Sequence, residues 1–352
     1  MHDSDNLKVA LIYLGKRGGG LHFLQMLSQL YFKNGFEVTT LMSSKRQKDI
    51  EIHGVIYEPG NFNPMDSIKT LGLSGLFAII KSLFWINKNR ESPKIWIMSH
   101  PLDLPLRLFA KRFNGKNFAV IHELTRHTGE YWPPKWASTI NIKLADSPIT
   151  LSKFVRKEVM EHLNWSDPLL LPHPTLKISE PIGAAILSPM KYFLVIGRIR
   201  TYKGLDTLAK AWESICDDPY LSNWTLVIAG EGNLDQSILN LPKTTIINRW
   251  LEERELVNYV KFSQALILPY SDASQSGILA LEQSRSVRKI IFSNGGLSEQ
   301  SDRLTIAIQK GDSQKLGAEM LKLARGEFVE NLKFQDAHKT FDWESKWLSM
   351  LH

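Results

Sequence analysis

Tyr192-Phe-Leu-Val-Ile-Gly197-Arg198-Ile-Arg-Thr-Tyr-Lys203-Gly204 decides how this chain is read. An apolar run of this kind is typical of a strand buried in a parallel sheet. A glycine ends the run, a basic loop follows, and a helical pattern begins at Leu205 and continues to about Cys216. Strand, loop and helix in this order form the repeating unit of α/β folds, whose ligands collect at the C-terminal ends of the strands. Arg198 can make a forked contact with phosphate, and Lys203 can neutralise a second oxygen. The plain alternative is a charged turn, with Arg200 facing solvent.

The same grammar extends in both directions. Downstream, Trp224–Gly230, Thr244–Asn248, Ala265–Leu268 and Lys289–Phe292 read as strands, with helices near 252–261 and 277–286. Upstream, Val9–Leu14 is an apolar run followed by Gly18-Gly19-Gly20 and a helical pattern from Leu21 to Phe32. Phe36–Met42, Gly54–Tyr57, Lys94–His100, Phe118–His122 and Ala145–Leu151 follow as strands, separated by helices near 68–87, 103–112 and 135–144. The Pro-, Gly- and Ser-rich segment 172–190 reads as a linker. The expected architecture is α/β, with two Rossmann-like domains facing a cleft: one over 1–175, a linker over 176–190, a second over 191–335, and a terminal helix over 336–352. Trp343, Trp347 and Leu351 lie four apart on that helix, and such a face needs burial.

Composition sets limits on function. Hydrophobic residues make up 43% of 352 residues, which supports a folded core rather than disorder. Cys216 is the sole cysteine, so an internal disulfide framework and a cysteine-rich zinc site are excluded and a reducing compartment is expected. The formal charge of +7 favours anionic partners. Nucleic acid is not expected among them, because the basic residues are dispersed and no helix-turn-helix or zinc pattern occurs. The acidic start Met1–Asp5 does not look like a secretory signal. Leu71–Ile86 contains Lys81 and is shorter than the ~20 residues of a membrane span. It reads as a buried helix or, with Lys88 and Arg90 behind it, as a helix that lies on an anionic surface.

Other constellations carry weaker signals. Gly18–Gly20 opens a helix and allows either a close ligand approach or a tight turn. Ser274, Gln275, Ser276 and Gly277 form a small polar segment whose backbone N–H groups could receive a diphosphate at a helix start. Glu282, further along that helix, suits a ribose or is a surface carboxylate. His122 ends a strand and can face the cleft; His100 ends the preceding strand, and His173 stands between two prolines. The spacing of His122 and His127 does not suit a metal, and there is no Gly-x-Ser-x-Gly elbow.

In this order, the pieces resemble the retaining glycosyltransferases of the GT-B fold, family 4 (group 1). The matching pieces are Gly18–Gly20, His122, Gly197-Arg198 with Lys203-Gly204, Val227–Gly232, Trp250, and Leu268-Pro269-Tyr270. Ser276-Gly277 with Glu282, Gly295–Glu299 and Lys310-Gly-Asp312 complete them. The resemblance implies that Arg198 and Lys203 hold the diphosphate of a UDP- or GDP-linked sugar, and that Glu282 binds the ribose. The amides near Ser276 and Gly277 would touch phosphate or sugar, and His122 would lie beside the transferred sugar. Gly19 and Gly20 would close on the phosphate or admit the acceptor, and Glu299 would line the cleft.

One departure is Ser274, where the family commonly carries the first acid of a Glu-x7-Glu pair. No metal or other cofactor is implied. The implied acceptor is a glycan or lipid-linked saccharide in cell-surface polysaccharide synthesis, reached in the cytoplasm or at the inner face of the cytoplasmic membrane. The terminal helix would cross back to the first domain. An epimerase or inverting transferase on the same fold, and a non-catalytic sugar-nucleotide-binding relative, are the alternatives.

Overall fold

A computed structural model describes residues 7–15, 19–42, 56–57, 73–98, 103–125, 135–178, 186–187, 189–331 and 342–351. The alternation of short apolar runs with helices produces two parallel sheets in two units. In the first, β1 (Lys8–Tyr13), β2 (Glu37–Met42), β3 (Ile56–Tyr57), β4 (Lys94–Trp96), β5 (Asn117–Ile121), β6 (Ser147–Thr150) and β7 (Leu169–Leu170) line up as β3-β2-β1-β4-β5-β6-β7. In the second, β8 (Lys191–Ile196), β9 (Trp224–Ala229), β10 (Thr244–Ile247), β11 (Ala265–Leu268), β12 (Arg288–Phe292) and β13 (Thr305–Ile308) take the order β10-β9-β8-β11-β12-β13. The strand order reverses between β1 and β4, and again between β8 and β11. In open α/β sheets such reversals are where ligands bind.

β7 and β13 extend the sheets beyond the strands legible in the sequence. β7 is only two residues long, and β13 (Thr-Ile-Ala-Ile) is buried only at its two ends instead of forming a continuous apolar run. The second unit's core packs α6 (Leu205–Glu213) and α9 (Ser313–Ala324) on the sheet. Phe193 stacks on Trp224 with centroids 4.7 Å apart and meets Trp212 edge-on. α6 ends at Glu213, so Cys216 lies beyond it; the thiol is buried, and burial pushes its pKa up.

In the first unit, α1 (Gly20–Lys33) carries Phe23 and Tyr31 inward. The apolar stretch expected near 68–87 becomes α2 (Leu73–Lys88), which turns Trp85 and Ile86 into the core beside Trp96 and Leu106. The same helix leaves Phe84 70% exposed and Ile80 exposed as well. Among the described residues no helix is long and apolar enough to cross a membrane. The terminal helix, α10 (Trp343–Ser349), belongs to the first unit. Fully buried Trp347 donates from Nε1 to Pro172 O at 2.9 Å, and Tyr31 Oη donates to Trp347 O at 3.0 Å. The Trp347 ring meets Phe23 edge-on at 5.6 Å.

Trp347→Ala should therefore cost about 3–5 kcal/mol, the usual range for emptying a large aromatic site. Deleting residues 342–352 should cost more, because Trp343 is lost as well. Urea unfolding measures both, and unchanged midpoints would show that the helix is dispensable.

Candidate functional site

β8 is followed by Gly197, whose φ of +105° turns the chain sharply into Arg198. Ile199 N–H then donates to Glu231 O, keeping the loops after β8 and β9 together. Thr201–Lys203 makes one 3-10 turn, and Gly204 (φ +68°) starts α6. A Cβ on Gly204 would lie 1.9 Å from Pro269 O, so only glycine allows the β8 and β11 loops to meet here. That contact brings Lys203 to Tyr270. The buried ammonium donates to Tyr270 Oη at 2.5 Å and lies 3.8 Å from the centre of that ring.

Burial pushes the Lys203 pKa down to about 8; Tyr202 opposes the shift and neighbouring Arg198 adds to it. Among the described residues no carboxylate forms an ion pair with Lys203 or Arg198. Arg198 is exposed, and so is Arg200, whose guanidinium bonds to Ile199 O. Two cations, one of them desolvated, thus stand together where the strand order reverses. A bound anion is the group that would offset their repulsion.

The loop after β11 supplies the other half of this edge. Ser274 and Ser276 are buried, Gln275 is half-buried and Gly277 is exposed. The helix expected over 277–286 does not form. Ala280 N–H bonds to Ser276 O in a single turn, and Glu282–Ser286 follows as a 3-10 helix. Ser284 is the physical reason: its Oγ donates back to Leu279 O and Leu281 O, competing with the α-helical ladder. Glu282 therefore begins the 3-10 segment, exposed, instead of sitting within a helix.

The N–H groups of Gly277, Ile278 and Leu279 make no hydrogen bonds among the described residues, as at any first turn. Ser276 N–H differs, since it donates to Gln300 Oε1 at 2.6 Å while Gln300 Nε2 donates to Ser276 O at 3.1 Å. Sequence reasoning missed Gln300, although it directly follows Glu299. Both residues lie in the 3-10 segment Gly295–Gln300, where Glu299 is half-buried. Gly296 N–H bonds to Ala273 O and ties this segment to the β11 loop.

The first unit has its own edge. His122 follows β5 directly, and its Nε2 lies 2.9 Å from Ile97 O. Phe23 meets both the His122 and the His173 rings edge-on, each at 5.2 Å. Burial holds the His122 pKa below the usual histidine value, and burial together with His122 lowers that of His173 to about 4. Both rings are thus neutral near pH 7. A neutral His122 that donates from Nε2 to Ile97 O keeps Nδ1 as its acceptor nitrogen.

Gly20 has a packing role, since a Cβ there would lie 2.4 Å from the Tyr13 ring. Gly19 is exposed with open space beside it. Gly18, His100 and His127 lie outside the described residues. Arg198, Lys203 and Ser274–Gly277 are brought to one sheet edge in the second unit; His122, Gly19 and Gly20 belong to the first. Among the described residues no three His, Cys, Asp or Glu side chains are grouped as metal ligands.

Residues 190–325 match the family described as glycosyl transferases group 1, so the second unit carries a group 1 glycosyltransferase domain. An uncharacterized glycosyltransferase of Haemophilus influenzae is 19% identical over 309 residues, covering 83% of this chain and 85% of that protein. Sucrose-phosphate synthase from Thermosynechococcus elongatus superposes with a TM-score of 0.69 at 14% identity, over 98% of this chain and 97% of that one. HepE from Anabaena, solved in complex with UDP, gives 0.62 at 12% identity, over 98% and 94%. The fold is GT-B, and the chain is a glycosyltransferase.

The two glycines of the β8 and β11 loops should respond oppositely to substitution. Gly204→Ala should destabilise by at least about 2 kcal/mol, from a disfavoured φ plus a clash. Gly277→Ala, facing open space, should stay within about 0.5 kcal/mol. Thermal or urea unfolding compares them, and equal effects would contradict the close approach at Pro269.

Proposed function

We propose that this glycosyltransferase moves a hexose-type sugar from a nucleoside-diphosphate sugar, UDP- or GDP-linked, to a hydroxyl of a glycan or lipid-linked saccharide, with retention of configuration. The observation that carries the proposal is the desolvated Lys203 beside Arg198, without a carboxylate ion-pair partner among the described residues, at the reversal of strand order. The solved complex of HepE with UDP supports a nucleoside-diphosphate donor.

Chemistry follows from charge. The bond between sugar C1 and the diphosphate oxygen breaks, and its electron pair stays on that oxygen. Arg198, Lys203 and the N–H groups of Gly277–Leu279 stabilise the developing charge. The acceptor oxygen bonds to C1 on the face the diphosphate leaves, and its proton passes to the leaving phosphate. This scheme needs neither a metal nor a carboxylate nucleophile, and it accommodates Ser274. Glu282, and then Glu299, hold the hydroxylated parts of the donor, Gln275 lines the same loop, and neutral His122 accepts from a sugar hydroxyl. Gly19 closes on the phosphate or admits the acceptor.

The acceptor side includes peripheral contact with an anionic membrane, at the inner face of the cytoplasmic membrane during cell-surface polysaccharide assembly. Its support is the outward face of α2, where exposed Ile80 and Phe84 sit among exposed Lys81, Lys88 and Arg90.

Arg198→Ala or Lys203→Ala should lower turnover at saturating donor by about 10²–10³, the usual cost of removing one transition-state charge donor. Changes below threefold in both variants would reject the phosphate assignment. Separately, the protein should sediment with anionic but not neutral vesicles, and the attachment should weaken at 0.5 M salt, where the screening length falls to about 4 Å. Absence of sedimentation at low salt would reject membrane contact and leave the transferase reading in place.

A further inference from the structure

The buried basic side chains among the described residues are Lys94, Arg107, Lys203 and Lys289. Three of them donate to fixed backbone acceptors. Lys94 donates to Arg90 O and Ser92 O. Lys289 donates to Ser284 O and Val287 O and pairs with Asp302 at 2.7 Å. Arg107 lies near Asp103 and donates to Asn141 O and Met98 O. Lys203 differs in having a phenol as its partner.

We infer that Tyr270 is a positioning residue: its phenol is a neutral cradle that holds the Lys203 ammonium charged and aimed while leaving its charge unspent for an anionic ligand. The inference rests on the donor-site reading of Lys203 given above. Three features of Tyr270 support it. Nζ lies 3.8 Å from the ring centre, and the ring attracts the cation. Oη accepts from Nζ, so the phenol, carried by the loop after β11, joins that loop to the β8 loop. Tyr270 itself cannot drift, because it is buried, Tyr202 abuts its ring at 6.0 Å, and Asn294 Nδ2 donates to its carbonyl.

A carboxylate here would hold the ammonium more strongly but would neutralise it and repel phosphate. Burial pushes the phenol's pKa up, so it stays uncharged through the working range. The groups acting on Lys203 are Tyr202, Tyr270 and Arg198, and only Arg198 carries like charge.

The test is calorimetric titration of the full chain with UDP and with GDP between pH 6.5 and 9.5. Lys203 must be protonated to hold phosphate. Wild-type affinity should therefore be level below about pH 8 and fall above it. Tyr270→Phe keeps the ring but removes the acceptor, which favours the neutral amine. A lost charge-assisted hydrogen bond corresponds to about one pH unit or more, so the fall should begin near pH 7. Affinity should stay within about threefold of wild type at pH 6.5 and be about tenfold weaker at pH 8.5.

Tyr270→Gln, which restores a neutral acceptor, should return the fall toward pH 8; should Tyr270→Phe not fold, Tyr270→Leu, which likewise lacks an acceptor, takes its place. Lys203→Ala should bind weakly with no such fall. A merely structural role would weaken binding equally at every pH. Superimposable wild-type and Tyr270→Phe curves, or no wild-type fall between pH 7.5 and 9.5, would overturn the role of Tyr270. Lys203→Ala binding like wild type throughout would instead overturn the donor-site reading on which it rests.

Discussion

The close approach of Gly204 to the carbonyl of Pro269 is the constraint on which the second unit's edge depends. A Cβ at 1.9 Å from that oxygen cannot be accommodated, and the φ of +68° already selects glycine. Because the two loops touch, the ammonium of Lys203 reaches the phenol of Tyr270. Gly230 repeats the device one strand away, where a Cβ would lie 2.1 Å from Gly197 O. Strand ends pressed together in this way exclude water from Lys203, and burial is the first cause of its lowered pKa.

Phe23 has the corresponding place in the first unit. Its ring meets His122, His173 and Trp347, so one side chain near the start of α1 joins the end of β5, the segment after β7 and the terminal helix. The consequence is chemical as well as mechanical. Enclosure keeps both imidazoles neutral, which suits His122 to hydrogen bonding with an uncharged group and not to holding an anion. Loosening α10 should therefore disturb His122 without touching it.

Much of this was legible in the sequence, because buried parallel strands are continuous apolar runs and the loops after them carry the glycines and cations. The two-unit α/β plan, the basic loop after β8 and the small polar loop after β11 follow from composition at each strand end. The burial of α2 was only half legible: Trp85 and Ile86 face the core while Phe84 faces out, and helical spacing alone does not say which stripe is covered.

What the sequence determined by itself was which residue types stand at the strand ends; what tertiary structure decided was which of them meet. Local pattern suggests a helix from Gly277 onward, yet Ser284 bonds back to two carbonyls and the segment closes as one turn and a 3-10 helix. Local pattern gives Ser276 a donor amide, yet Gln300, distant in sequence, occupies it. Lys203 and Tyr270 are 67 residues apart, and nothing near either one signals their pairing. Contacts of that kind are set by strand order, which places β8 beside β11 only after the chain has crossed over the sheet, and no local spacing encodes the distance between two loops.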